Sequence, residues 1–241
     1  MSLTTNTIVE HQPMVALKAC SHHPDDATLM SFAAGSLPSA LAAVVATHLV
    51  ECKQCRDAVR EMEDIGSLML GDLDVAADCA IAKPDVLHDF TAAEQQSPLS
   101  FASTDGGAVT AAPLTREDAI RNLTGHDLAD IPWKRLGFGA WHYPIATNGS
   151  RSGDLRLIKV QRGQSMPEHG HGGSELTLVL DGAYHDELGT FAAGDVADLD
   201  DSVEHRPVAD AETGCICLIA SERKARFTGV IGRLIQPITG L

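Results

Sequence analysis

Apolar residues in the first third of the chain recur at the three- and four-residue steps of amphipathic helices. Leu29, Met30, Phe32 and Ala33 follow the acidic pair Asp25 and Asp26, which favours a helix N-terminus, and Gly35 can end that helix. Pro38 fits the first turn of a second helix. Leu41, Val44, Val45, His48, Leu49 and Cys52 share one of its faces. Val59, Met62, Ile65 and Met69 continue the spacing in a third helix, and residues 85–90 read as a short fourth. Past a stretch rich in small and polar residues, the pattern changes. LRLIKV (155–160), ELTLVLDG (175–182), FAAGDVADL (191–199) and CICLIA (215–220) are short β-like runs separated by Gly and Asp turns. That spacing predicts an all-β sandwich or barrel.

The expected fold class is therefore α + β and multidomain. It has a flexible tail over residues 1–20, a small helical bundle over 21–92, a linker over 93–112 and a β-barrel over 113–241.

Composition narrows the function. The chain has 241 residues and a net charge of −15, so a direct nucleic-acid footprint is not expected. The acidic excess is shared: residues 1–92 hold 13 acidic and 5 basic residues. Such a surface suits a basic protein partner or simple solubility. The N-terminal residues lack a basic start followed by an apolar run, and the most apolar segment, Leu41 to Ala46, is too short for a membrane span. A soluble cytoplasmic protein with no membrane partner is expected. The six cysteines form no dense disulfide framework; Cys52/Cys55 and Cys215/Cys217 instead stand as close pairs suited to metal or redox chemistry.

Two constellations carry that chemistry. His48-x3-Cys52-x2-Cys55 lies on the second helix and its end, where offsets of four and seven return to nearly one direction. A tetrahedral structural zinc site needs a fourth ligand; His23 is the first candidate and its neighbour His22 the second. Zinc would staple a domain whose core is thin. A helix that merely happens to carry a CxxC is the plainer alternative.

The segment HHPDDATLMSFAAGSLPSALAAVVATHLVECKQC (22–55) resembles the ChrR-type zinc-binding anti-sigma domain. The resemblance assigns the zinc ligands to His23, His48, Cys52 and Cys55. It implies a helical clamp on an extracytoplasmic-function sigma factor that blocks contact with RNA polymerase.

The second constellation, Gly163-x5-His169-x-His171-x3-Glu175-x6-Gly182, is similar to the first cupin motif. His169, His171 and Glu175 share strand parity if the strand is regular. The second cupin motif keeps Gly194 and His205, but Asp200, Ser202 and Ala209 stand where that family has Pro, Gly and Asn. Three imidazoles and a carboxylate can hold Zn, Mn, Fe, Ni or Cu, with zinc the first expectation and a metal-free barrel the alternative. The ChrR-type resemblance extends to this half, including PWKRLGFGAWHYP (132–144), and so spans roughly residues 21–220.

Cys215 and Cys217 are expected to face the barrel interior. They are either apolar filling or, beside a metal, a redox pair. Cys20, Cys79, His11, His88, His126, His142 and His185 have no local pattern and are read as incidental.

The expected function is an anti-sigma factor whose cupin receives an oxidative signal, which the resemblance makes singlet oxygen or organic peroxide, and then releases the sigma factor. No catalysis is expected. The alternatives are a cupin dioxygenase or isomerase with an accessory zinc domain, and a zinc domain used only for dimerisation.

Overall fold

A computed structural model describes residues 20–71, 115–137, 139–147, 153–223 and 226–227. The short helix expected over 85–90 and the linker fall outside these residues.

Three helices open the described chain. Helix α1 (Asp26–Ala33) is capped by the Asp25 carboxylate, which accepts from the Thr28 N–H at 2.6 Å. Helix α2 (Ser39–Glu51) follows Pro38 and is buried along most of its circumference, from Ala40 and Leu41 to His48 and Leu49. A helix apolar all round must be enclosed on several sides, and α2 is: α1, α3 and α4 cover part of it and a β-sheet the rest. Helix α3 (Lys53–Gly71) begins after a break at Cys52, whose ψ of 100° leaves the helical region. The expected single helical face from His48 to Cys55 is thus two helices meeting at a corner.

Helix α4 (Arg116–Thr124) was not anticipated from the sequence. Thr115 and Asp118 form a reciprocal capping box, and Gly125 closes the helix at φ 75°. Ala119 and Ile120 bury its inner face. Its Arg116 pairs with Glu51 of α2 at 3.1 Å and donates to the Leu180 carbonyl at 2.8 Å.

Among the described residues eleven strands follow: β1 (Lys134–Gly137), β2 (Ala140–Ile145), β3 (Asp154–Val160), β4 (His169–Gly170), β5 (Glu175–Asp186), β6 (Gly189–Ala192), β7 (Val196–Leu199), β8 (Glu204–His205), β9 (Val208–Ala209), β10 (Cys215–Ser221) and β11 (Arg226–Phe227). The main sheet runs β1-β2-β3-β10-β5-β6, with β7 and β9 also on β5; β11-β4-β8 form a second small sheet. Every pairing is antiparallel. This is the expected cupin-type barrel.

Strands β3, β10 and β5 are buried on both faces. Leu155, Leu157, Leu176, Leu178, Leu180, Leu218 and Ala220 join the helices in one core. Val179, Tyr184, Phe191, Cys215 and Cys217 pack together in a second cluster. Glu175 and Thr177 turn toward the barrel cavity while Leu176 and Leu178 turn toward the helices, so the strand alternates polar and apolar residues although both of its faces are covered. A bulge shifts the β10–β5 register between Ile216 and Cys217, so Cys217 faces Val179 while Ile216 faces Asp181. One inserted residue flips side-chain parity. Glu175 and Thr177 before the bulge, and Tyr184 after it, therefore all line the same cavity.

Candidate metal centres

The first cluster gathers where α2 meets α3. His23 lies just before α1, His48 in the last turn of α2, Cys52 at the corner and Cys55 in the first turn of α3. His48 Nε2 is 3.3 Å from Cys55 Sγ, while His23 Nδ1 is 3.4 Å from Cys52 Sγ and 3.3 Å from Cys55 Sγ. Ligands around a tetrahedral zinc, at about 2.0 Å for nitrogen and 2.3 Å for sulfur, stand about 3.3–3.8 Å apart, so the four atoms fit such an ion. His48 Nδ1–H donates to the Gly194 carbonyl at 3.0 Å, which turns Nε2 toward the cluster. Burial drives the His48 pKa down to about 4, keeping the ring neutral as a ligand must be. Burial and the neighbouring Cys52 push the Cys55 thiol up to about 12. A cation would reverse that cost by stabilising the thiolate.

His23, and not His22, joins this cluster. The His22 ring turns to Asp195 at 3.3 Å. Asp195 Oδ1 also accepts from the backbone N–H groups of Ser21 at 2.6 Å and His22 at 3.1 Å. The β6–β7 turn of the barrel, through Gly194 and Asp195, thus holds the segment that presents His23 and orients His48. Cys20, expected to be incidental, sits at the same joint: a Cβ on Gly194 would meet its Sγ at 3.1 Å. Burial and the nearby Cys52 raise the Cys20 pKa to about 11.

The second cluster lies in the barrel. Pairing of β4 with β8 sets His169 directly opposite His205. His171 sits in the loop between β4 and β5, and Glu175 opens β5, so convergence comes from a loop between two strands rather than one regular strand. Four donor atoms, one from each residue, lie within 4.8 Å of one another. His169 Nδ1–H donates to the Pro167 carbonyl at 3.0 Å and His205 Nδ1–H to Asp186 Oδ2 at 2.8 Å. His171 Nδ1 stands 3.3 Å from Glu175 Oε2 without the angle of a hydrogen bond. Both His171 nitrogens and His205 Nε2 are buried with no hydrogen-bond partner. Orphaned imidazole nitrogens converging on a carboxylate are what a divalent cation satisfies. Burial works to raise the Glu175 pKa, but the facing His171, His169 and His205 outweigh it and hold the carboxyl below its usual value.

Cys215 and Cys217 line the same cavity, their Sγ atoms 3.1 Å apart. The hydrogen bond to Cys215, then burial, hold the Cys217 thiol well above its ordinary pKa. His126 stacks edge-on against Tyr143, His185 is exposed, and neither His142 nor these two belongs to a cluster. Cys79, His11 and His88 fall outside the described residues. Sequence reasoning missed Asp186 and Asp195, the carboxylates behind the two clusters.

A cupin-type barrel with a histidine–carboxylate cluster is packed on helices with a cysteine–histidine cluster, and each cluster could hold a metal ion. Residues 122–225 match the family described as the ChrR cupin-like domain. The anti-sigma-E factor ChrR of Cereibacter sphaeroides is 34% identical over 216 residues, covering 90% of this chain and 96% of that protein. The crystal structure of Rhodobacter sphaeroides SigE in complex with the anti-sigma ChrR is similar at 34% identity, with a TM-score of 0.62; the match covers 84% of this chain and 100% of that one. The chain belongs to the ChrR family of anti-sigma factors. Both relatives are named as anti-sigma factors. Among the described residues no helix is long and apolar enough to cross a membrane.

Proposed function

We propose that this chain sequesters an extracytoplasmic-function sigma factor through its helical region and releases it when its barrel receives an oxidative signal. The observation that carries the reading is the full-length similarity to ChrR together with the intact His23, His48, Cys52 and Cys55 cluster. In this reading residues 21–92 form the clamp, 93–112 the linker and 113–241 the sensor. Zinc holds the α2–α3 corner. A divalent metal sits on His169, His171, Glu175 and His205, with zinc the first choice and Mn, Fe or Ni the alternatives.

Met30 of α1 and Ile65, Leu68 and Met69 of α3 are large apolar side chains left more than half exposed. An apolar surface on an acidic helix pair suits a basic partner with an apolar patch. Singlet oxygen or an organic peroxide is the proposed signal. The raised Cys217 pKa makes that thiol a poor nucleophile, so the His/Glu cluster is the proposed first receiver. Cys215 and Cys217 then act as a secondary thiol pair: they close a disulfide while the peroxide is reduced to an alcohol and water.

The test is co-purification with an extracytoplasmic-function sigma factor of the same organism, followed by organic peroxide. The wild type should hold the partner one-to-one and release it on treatment. Replacing His169, His171, Glu175 and His205 with Ala should leave the complex intact and abolish release. Release that survives this replacement contradicts the sensor reading; the absence of any complex contradicts the clamp.

A further inference from the structure

The barrel cavity extends beyond the His/Glu cluster, and its lining is unlike that of a site built for a metal alone. Register between the strands stacks the lining in layers. Asp154, Ser221 and Glu175 face one another across β3, β10 and β5; Arg156, Ile219 and Thr177 form the next layer; Ile158 and Cys217 lie deeper. Arg156 is 6% exposed, yet it lines the cavity. Its Nε–H donates to Asp154, and among the described residues neither terminal amino group donates to any protein acceptor. Tyr184, 3% exposed, lines the same space with a hydroxyl that has no hydrogen-bond partner.

With no protein acceptor and yet not enclosed, the terminal amino groups open onto the cavity, where water or a ligand acceptor can complete them. Arginine's planar fork matches the two oxygens of a carboxylate. Around it the cavity is mostly hydrocarbon, from Ile158, Val160, Met166 and Ile219. Few, well-placed polar groups in an apolar cleft are the composition of a small-molecule site.

We propose that the barrel cavity binds a small organic carboxylate, its carboxyl group held by Arg156 and its apolar body lying along Ile158 and Ile219 beside the His/Glu cluster. The site is separate from the sigma-binding surface and goes beyond the signal reading, which requires no resident ligand.

The probe is hexanoate, compared with the isosteric neutral hexanamide, each titrated calorimetrically into the metal-loaded full chain. Hexanoate should bind at least tenfold more tightly than hexanamide. Arg156→Gln should bring hexanoate down to the amide's level with the metal content and far-UV circular dichroism unchanged. Ile158→Trp, which fills the apolar part and keeps the guanidinium, should weaken both probes at least tenfold. Equal affinity of the two probes in the wild type overturns the proposal, as does failure of both to bind. Hexanoate affinity that survives Arg156→Gln also overturns it, because the carboxylate then sits on the metal. If Arg156→Gln does not fold, the acid–amide comparison repeated on the wild-type chain after chelation decides: a tenfold preference for hexanoate that persists without metal supports the Arg156 site, and its loss overturns it. No sigma factor enters these titrations, so their failure leaves the clamp reading standing.

Discussion

Asp195 has a side chain 5% exposed and spends its two oxygens on four donors: the N–H groups of Ser21, His22 and Ala192 and the His22 ring. An amide in its place keeps one acceptor and brings donors that face donors. Asp195→Asn should cost about 1–3 kcal/mol in chemical unfolding. The pH dependence follows from the same bonds. Burial works to raise the Asp195 pKa, but the N–H groups of Ala192, Ser21 and His22 prevail and hold it below the ordinary 3.8. A depressed folded-state pKa gives stability that is full above the unfolded value and lost as pH falls through the folded one. The gap between wild type and Asp195→Asn should therefore narrow below pH 3.8 and stay constant above neutrality. Asp186, whose side chain is fully buried, fixes the ring of His205. Asp186→Asn should weaken metal binding by the barrel about 10- to 100-fold in a chelator competition. Most members of each cluster were legible in the sequence because His-x3-Cys-x2-Cys and His-x-His-x3-Glu are local spacings, whereas His23 and His205 lie farther off and were assigned through the family resemblance. Asp186 was not legible: it lies eleven residues after Glu175, an odd offset that places it on the opposite face of a regular strand. The bulge in β5 reverses that parity.

Helix α2 and strand β5 show what the hydrophobic pattern could reveal about the elements. Their apolar residues marked them as regular structure, yet each is covered on more sides than a surface element. Leu41 is 1% exposed in the core shared by helices and sheet. Leu41→Ala should destabilise the chain by about 2–5 kcal/mol, read from the urea midpoint. Helix α4 escaped notice because its sequence REDAIRNLT has few apolar positions; its evidence was the capping box of Thr115 and Asp118. The break at Cys52 escaped notice too, since helical periodicity runs through CxxC without interruption. The corner matters because it lets Cys55 approach His48 Nε2 from the start of a second helix.

At the scale of the whole molecule, helices and barrel are joined by packing and by hydrogen bonds: to the Gly194–Asp195 turn, from Arg116 to the Leu180 carbonyl and from the Asp25 N–H to Asp198. Leu29, Val44 and Val59 of the helices share a core with Leu157, Leu178 and Leu218 of the sheet. Glu175 faces Leu199 across the β5–β7 pair, and β7 leads back to the Gly194–Asp195 turn that holds His48 and His22. A chain of paired backbone therefore runs from the barrel cluster to the helical cluster. Coupling through it requires that both sites bias its order. Chelating the barrel metal should raise amide hydrogen exchange in residues 192–199 and at the C-terminal end of α2, while leaving the outer β1–β2 pair unchanged. None of this packing was legible in the sequence, because it joins residues far apart along the chain.

The most direct test of the central claim is the metal content and partner content of the purified complex, measured together. Wild-type protein co-expressed with that sigma factor should carry two metal ions and one sigma factor per chain. Cys52→Ala/Cys55→Ala should carry one metal ion and no sigma factor. A double variant that loses its metal and still holds the sigma factor would contradict the account.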